Sequence, residues 1–156
     1  MYDLATQRNP ENAQTTRVRR ELQARLPSRI AVDTNVAVID AQTGVLISDI
    51  DVLVDARVIV LLKEGNGAGQ LREAELYLPF DRVGVPNPDI VETNPNSYPV
   101  VVYATRLGPH SRRGLENLGI ITFGGGRNAA ERQTEFFRFL DEVVNLVTPS
   151  IGPPTP

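Results

Sequence analysis

The sequence predicts an α/β domain, a mixed central sheet with flanking helices. Three observations carry this. Three strand-like runs follow one another between Ile30 and Lys63. Two more, Val100 to Ala104 and Ile120 to Phe123, are each followed by a helical pattern. The strand runs are rich in Val and Ile, while the other segments repeat at helical spacing. Strands in succession suit an antiparallel meander, and the later alternation suits right-handed crossovers back into the same sheet. With 156 residues, 41% apolar and 22% charged, the chain has the size and composition of one globular domain.

Residues 1–16 are polar and include Asn9-Pro10, which reads as a flexible lead-in. Thr16 is placed to cap a helix from Arg17 to Leu26. Val18, Leu22 and Leu26 fall on one face of it, and Pro27 closes it. Ile30 to Ile39 alternates as a half-buried strand, and Asp40 to Gly44 supplies a turn. Val45 to Val54 is the second strand, and Asp55-Ala56-Arg57 the short connection to a third, Val58 to Lys63. That third run is continuously Val, Ile and Leu before its lysine, as in a strand covered on both faces.

Gly65, Gly67 and Gly69 break the chain, and Gln70 to Leu78 reads as a short helix. Pro86 to Pro99 is a long Pro- and Asn-rich loop. A buried strand follows at Val100 to Ala104, then a short helix from Ser111 to Leu118 with Gly119 as its C-cap. Ile120 to Phe123 is the last strand, and Gly124 to Gly126 read as a flexible turn. The final helix runs from Asn128 to about Val147, its inner face made of Phe136, Leu140, Val143, Val144 and Val147. The domain thus spans residues 17–148, and 149–156 is a Pro-rich tail expected to be disordered.

Composition limits the chemistry. There is no cysteine, which excludes disulfides and thiolate zinc sites. One histidine, His110, excludes a polyhistidine site and leaves no convincing Ser-His-Asp arrangement. A metal here must be held by oxygen, which favours Mg²⁺, Mn²⁺ or Ca²⁺. The net charge of -3 has the wrong sign for a nonspecific nucleic-acid coat. The longest apolar run, Val58 to Leu62, is too short to span a bilayer, and no secretory apolar region opens the chain. A cytoplasmic protein, or a domain delivered into a target cell's cytoplasm, is expected.

One constellation carries chemistry. Asp49 and Asp51 lie two apart on the second strand, so regular alternation puts them on one side. Lys63 ends the neighbouring strand across a short hairpin. Two carboxylates and an ammonium together suit a hard metal with its water and a phosphate. The plainer reading makes Asp49 and Asp51 the solvent face of an edge strand and Lys63 a solvated strand-end lysine.

The segment Ile50-Asp51-Val-Leu-Val-Asp-Ala-Arg-Val-Ile-Val-Leu-Leu-Lys63 resembles the core of the PD-(D/E)XK nuclease superfamily. That family places an Asp on one strand and an acid-x-Lys on the next. Glu21 matches the Glu that the preceding helix often adds, and Gln70 matches a Gln that often opens the following helix. The later part, Tyr98-Pro-Val-Val-Val-Tyr-Ala with a basic helix and Leu-Gly-Ile-Ile-Thr-Phe, looks like the C-terminal half of restriction-endonuclease-fold toxin domains. Those end polymorphic bacterial toxins, including contact-dependent inhibition systems. The resemblance spans roughly Arg17 to Phe123.

It implies a restriction-endonuclease-like fold, an αβββαβ core with a C-terminal αβα. It implies Asp51 as main metal ligand, Asp49 and Glu21 as accessory ligands, and Lys63 as the catalytic cation. Mg²⁺ or Mn²⁺ would be the cofactor, DNA or RNA the substrate, and an immunity protein a partner.

Residue 61, where the acid of acid-x-Lys should stand, is leucine. Three readings stay open: a natural pseudo-nuclease, a ligand role taken over by Glu64 or Glu73, or an inactivating change. The alternative function is accordingly a catalytically inactive module binding nucleic acid or protein. Glu21 also has a plainer reading, pairing with arginines on its helix. Arg17, Arg20, Arg112, Arg113 and Gln70 are the nucleic-acid contacts expected, with ordinary surface charge as the alternative for the arginines. Gly65 to Gly69 imitates a dinucleotide fingerprint but lacks its last glycine, and reads as a loop.

Overall fold

The computed structural model describes residues 2–6, 11–40, 43–65, 99–117 and 119–151. Six strands form one sheet in the order β1(Tyr2–Thr6), β2(Val32–Asp40), β3(Leu46–Val54), β4(Val58–Lys63), β5(Val100–Ala104) and β6(Ile121–Gly124). β1 through β4 run antiparallel to their neighbours, while β5 and β6 run parallel to β4. The described helices are α1(Ala13–Arg25), α2(Pro109–Asn117) and α3(Ala129–Ile151). The expected meander followed by parallel strands is therefore present, and the sheet is mixed and flanked by helices.

Four local readings need correction. Tyr2–Thr6, assigned to a loose lead-in, pairs with β2 as an edge strand. α1 starts earlier than expected because Asn12, not Thr16, caps it, accepting from the Thr15 amide at 2.8 Å. α3 continues to Ile151, past the point where a disordered tail was expected; residues 152–156 lie outside the described residues. β3 sits between β2 and β4, so Asp49 and Asp51 are not on an edge strand. The helix expected over Gln70 to Leu78, with Gln70 and Glu73, also lies outside the described residues, as does nearly all of the Pro-rich loop.

Apolar residues on the two sheet faces build two cores. On one face Val18, Leu22 and Leu26 of the α1 segment and Phe136, Phe139, Leu140, Val143 and Val147 of α3 cover Val52, Val60, Val101 and Tyr103. Tyr103 lies with its ring centroid 5.1 Å from Phe139 and 5.4 Å from Phe136. Each such fully buried side chain contributes about 1.5–3 kcal/mol of burial, so this layer anchors α3. Phe137, next to buried Phe136, is 40% exposed. On the other face Leu107, Leu115 and Ile120 cover Val36, Ile50, Ile59, Leu61 and Val102.

The end of α2 shows why Leu115 and Ile120 meet. Gly119 takes φ +80°, its amide donates to Glu116 O at 2.9 Å, and the Ile120 amide donates to Leu115 O at 3.0 Å. This is a Schellman close, with its usual apolar contact across it. The Gly119 C-cap read from sequence is in place.

Candidate functional site

β2 and β3 contain a paired irregularity. Thr34 pairs with Val52 and Val36 with Ile50, leaving Asn35 opposite Asp51. Asn35 has φ +51°, a left-handed conformation that interrupts regular strand alternation. Val52 belongs to the α1 and α3 core, but Ile50, two residues away, belongs to the opposite core. The faces therefore exchange at Asp51.

The pairing of β3 with β4 is described for Val52 to Val54 against Val58 to Val60 and goes no further. Beyond it, the Asp51 carboxylate reaches β4 and accepts the Leu62 amide proton at 2.7 Å. A side chain thus makes a bond that an interstrand carbonyl would make in a regular ladder.

Burial pushes the Asp51 carboxyl above its ordinary range. The Leu62 hydrogen bond opposes the rise, the neighbouring Asp49 charge adds to it, and the Lys63 ammonium opposes it. The charges of Asp49 and Lys63 therefore each act on Asp51. Simple strand alternation is not what unites the two carboxylates, since it breaks between them.

Glu21 is placed elsewhere. It lies on α1, where the Arg25 guanidinium bonds both its carboxylate, at 2.5 Å, and its main-chain carbonyl, at 3.0 Å. The plainer helix-surface reading describes its contacts. Among the described residues no group of three or more acids or histidines gathers as a metal cage. Leu61 has no exposed surface and packs among Ile59, Val102, Leu107 and Leu115. Its leucine is a core residue here. Glu64 turns up elsewhere, lining a cleft beside Lys63.

That cleft, of about 520 Å³, opens beyond the C-terminal ends of β4 and β5, between the first turns of α1 and α3. Gln14, Arg17, Glu64, Thr105, Arg132 and Phe136 are among its walls. Gln14 Nε2 and the Thr105 amide both donate to Lys63 O, at 3.3 and 2.9 Å, which ties the cleft to the end of β4. The Arg17 guanidinium lies over the Phe136 ring, 3.9 Å from its centroid. Neither Arg17 nor Arg132 has a carboxylate partner among the described residues. At its floor, burial raises the Tyr103 phenol above its usual range, while Arg17 pulls it down, as do a Thr105 hydrogen bond and Arg132; Glu135 adds to the rise.

The basic residues do not form one groove. Arg17 and Arg20 ride on α1, whereas Arg112 and Arg113 ride on α2 across the sheet. Arg112 is tied to β6, donating to Gly124 O at 3.0 Å. Arg113 and His110 are exposed. Sequence reasoning missed Gln14, Thr105 and Arg132 as cleft residues. The one signal available was that strand carboxyl ends and helix starts meet at such crevices in α/β sheets.

Nor did sequence reasoning find Glu11. It accepts from Arg19 at 2.7 Å, Thr16 at 2.8 Å and Thr34 at 2.8 Å, joining α1 to β2. The Arg19 hydrogen bond, with those of Thr16 and Thr34, outweighs partial burial and brings its pKa down to about 2.

No helix among the described residues is long and apolar enough to cross a membrane. No protein-family model, curated protein or solved structure matches the chain.

Proposed function

We propose that this chain is a phosphodiester-acting domain of the restriction-endonuclease type, hydrolysing DNA or RNA with Mg²⁺ or Mn²⁺. The observation that supports the reading is the Asp51 carboxylate between two strands that cease to pair, with Asp49 and Lys63 as charged neighbours. A desolvated carboxylate beside a second acid gains from a cation.

The donor set fits a lightly held ion. Mg²⁺ is commonly bound through one or two carboxylates, with water and phosphate oxygens completing the shell. Asp51 and Asp49 would hold it; Glu21 is engaged by Arg25, and the Leu61 side chain offers no oxygen. When bound, the metal supplies Lewis acidity and a water of lowered pKa. Asp51 keeps one edge on the Leu62 amide, which orients its carboxylate. Lys63 places positive charge where a phosphoryl oxygen gains negative charge. A toxin role, an immunity-protein partner and action in a target cytoplasm rest on the family resemblance alone.

A second reading follows from buried Leu61. A site short of one ligand suits a module that binds nucleic acid or a protein without cutting. Metal-dependent cleavage of plasmid DNA and total tRNA tests both. Cleavage by the native chain, lost in Asp51→Asn and Lys63→Ala, supports hydrolysis. Retention of nucleic acid without cleavage in either metal moves the assignment to the binding module.

A further inference from the structure

We propose that the cleft between α1 and α3 is a nucleotide subsite for single-stranded nucleic acid, with Arg17 as its stacking plate and Arg132 as its phosphate contact. The inference deepens the phosphodiester-acting reading and rests on it. Four observations carry it.

First, the position is right for a substrate path. The cleft adjoins the end of β4, since two of its lining residues donate to the main-chain oxygen of Lys63, the residue after the amide that Asp51 holds. Second, the volume of about 520 Å³ falls in the range of small-ligand sites.

Third, the two charges lack carboxylate partners among the described residues. Arg17 and Arg132 line one concavity with no carboxylate in salt-bridge range among the described residues, whereas Arg19, Arg25, Arg57 and Arg138 are each paired. Two guanidiniums facing one space repel unless an anion lies between them. Glu64 stands on the strand side, so the phosphate belongs toward the helices.

Fourth, the Arg17 guanidinium carbon lies over the Phe136 ring, 3.9 Å from its centroid. Phe136 is buried beneath it, while Arg17 is exposed. The side of the guanidinium away from the ring faces solvent and is where a base would stack. Bases splayed from a single strand stack on arginine planes in this way, whereas bases in a duplex are not available to do so.

Fluorescence anisotropy with a short labelled single strand and the same sequence as a duplex tests the proposal. The native chain should prefer the single strand. Arg17→Ala should weaken single-strand binding about tenfold or more. Arg17→Lys keeps the charge and loses the plane, so it should retain the salt dependence and lose the preference for single strands. Arg132→Ala should weaken both ligands and lower the slope of log affinity against log salt by about one. A thermal melt of each variant establishes that it is folded.

Native-like binding by folded Arg17→Ala and Arg132→Ala overturns the subsite. So does a preference for duplex, or displacement of the strand by inorganic phosphate as readily as by a mononucleotide. Cleavage separates the two proposals. Asp51-dependent cleavage with affinity indifferent to Arg17 defeats the subsite alone. Arginine-dependent single-strand binding without cleavage by any form defeats the hydrolytic reading alone.

Discussion

The carboxylate of Asp51 accepts the amide proton of Leu62 at 2.7 Å, bridging β3 and β4 where their described pairing ends. Asp51 therefore has a structural task as well as a proposed chemical one, and two substitutions separate them. Asp51→Ala removes the acceptor and should cost about 1–3 kcal/mol in urea unfolding. Asp51→Asn keeps an acceptor oxygen and removes the desolvated charge. Burial holds the folded pKa above the unfolded value of 3.8. The charge thus weakens the fold as pH rises through that unfolded value toward the folded one, and has no effect below both. Asp51→Asn should gain stability relative to the native chain as pH rises past the unfolded value of 3.8, while losing any cleavage. A gap that is flat with pH would show that the carboxyl is not perturbed.

Leu61 is the position where the proposed metal site asks for an acid and packing asks for a hydrocarbon. Leu61→Glu should not restore a ligand; it should destabilise the domain by about 4 kcal/mol or more, because a carboxyl would sit among Ile59, Val102 and Leu115. Leu61→Met should cost less than about 1.5 kcal/mol. Thermal melting checks both. A folded, cleaving Leu61→Glu protein would show that this side chain can leave the core.

Glu11 should make the fold acid-sensitive. Its folded pKa is about 2 against an ordinary 4.5, so its contribution is complete above the ordinary value and fades as pH falls toward the folded one. Glu11→Gln should lose about 1–2 kcal/mol near neutral pH, less than the full shift implies because both Glu11 and Arg19 keep solvent contact. The gap between native and variant should close as pH approaches about 2. Denaturant melts across that window measure it.

Gly124 should tolerate no side chain. It sits at φ +129°, and an added Cβ would collide with the Ala104 carbonyl. Gly124→Ala should cost several kcal/mol, about 3 or more, by prising β6 from β5. Gly119→Ala meets open space and strains only the backbone, so it should cost about 1 kcal/mol. Comparing the two melts separates contact from conformation.

The strands were legible because their Val and Ile runs are short, dense and bounded: Val58–Lys63 and Val100–Ala104 occupy the ranges that the sequence indicates. β1 was hidden because Tyr2–Thr6 is a mixed, edge-pairing segment whose partner is some thirty residues away. Asn12 was overshadowed by Thr16, an equally good cap by composition. The nearness of Asp51 to Lys63 was legible from the hairpin. The orientation of Asp49 was not, because period-two reasoning assumes an unbroken strand and Asn35 breaks the pattern. The Arg17 and Arg132 pairing of positions was invisible too, since only the packing of α1 beside α3 brings together residues so far apart in the chain.

The opposed irregularities at Asn35 and Asp51 have an evolutionary consequence. One extra residue on each strand keeps the hydrogen-bond register intact while exchanging which faces the side chains occupy. Losing either residue alone would shift the Val32–Thr34 and Val52–Val54 pairs against the pairs nearer the turn; losing both would preserve pairing but turn Val36 and Ile50 away from their core. Nearer the turn the same hairpin does take one uncompensated residue, between the Val38–Ser48 and Ile39–Leu46 pairs, where no core layer depends on the alternation. The Asp51 carboxylate sits at the point where the two core layers trade places along one strand.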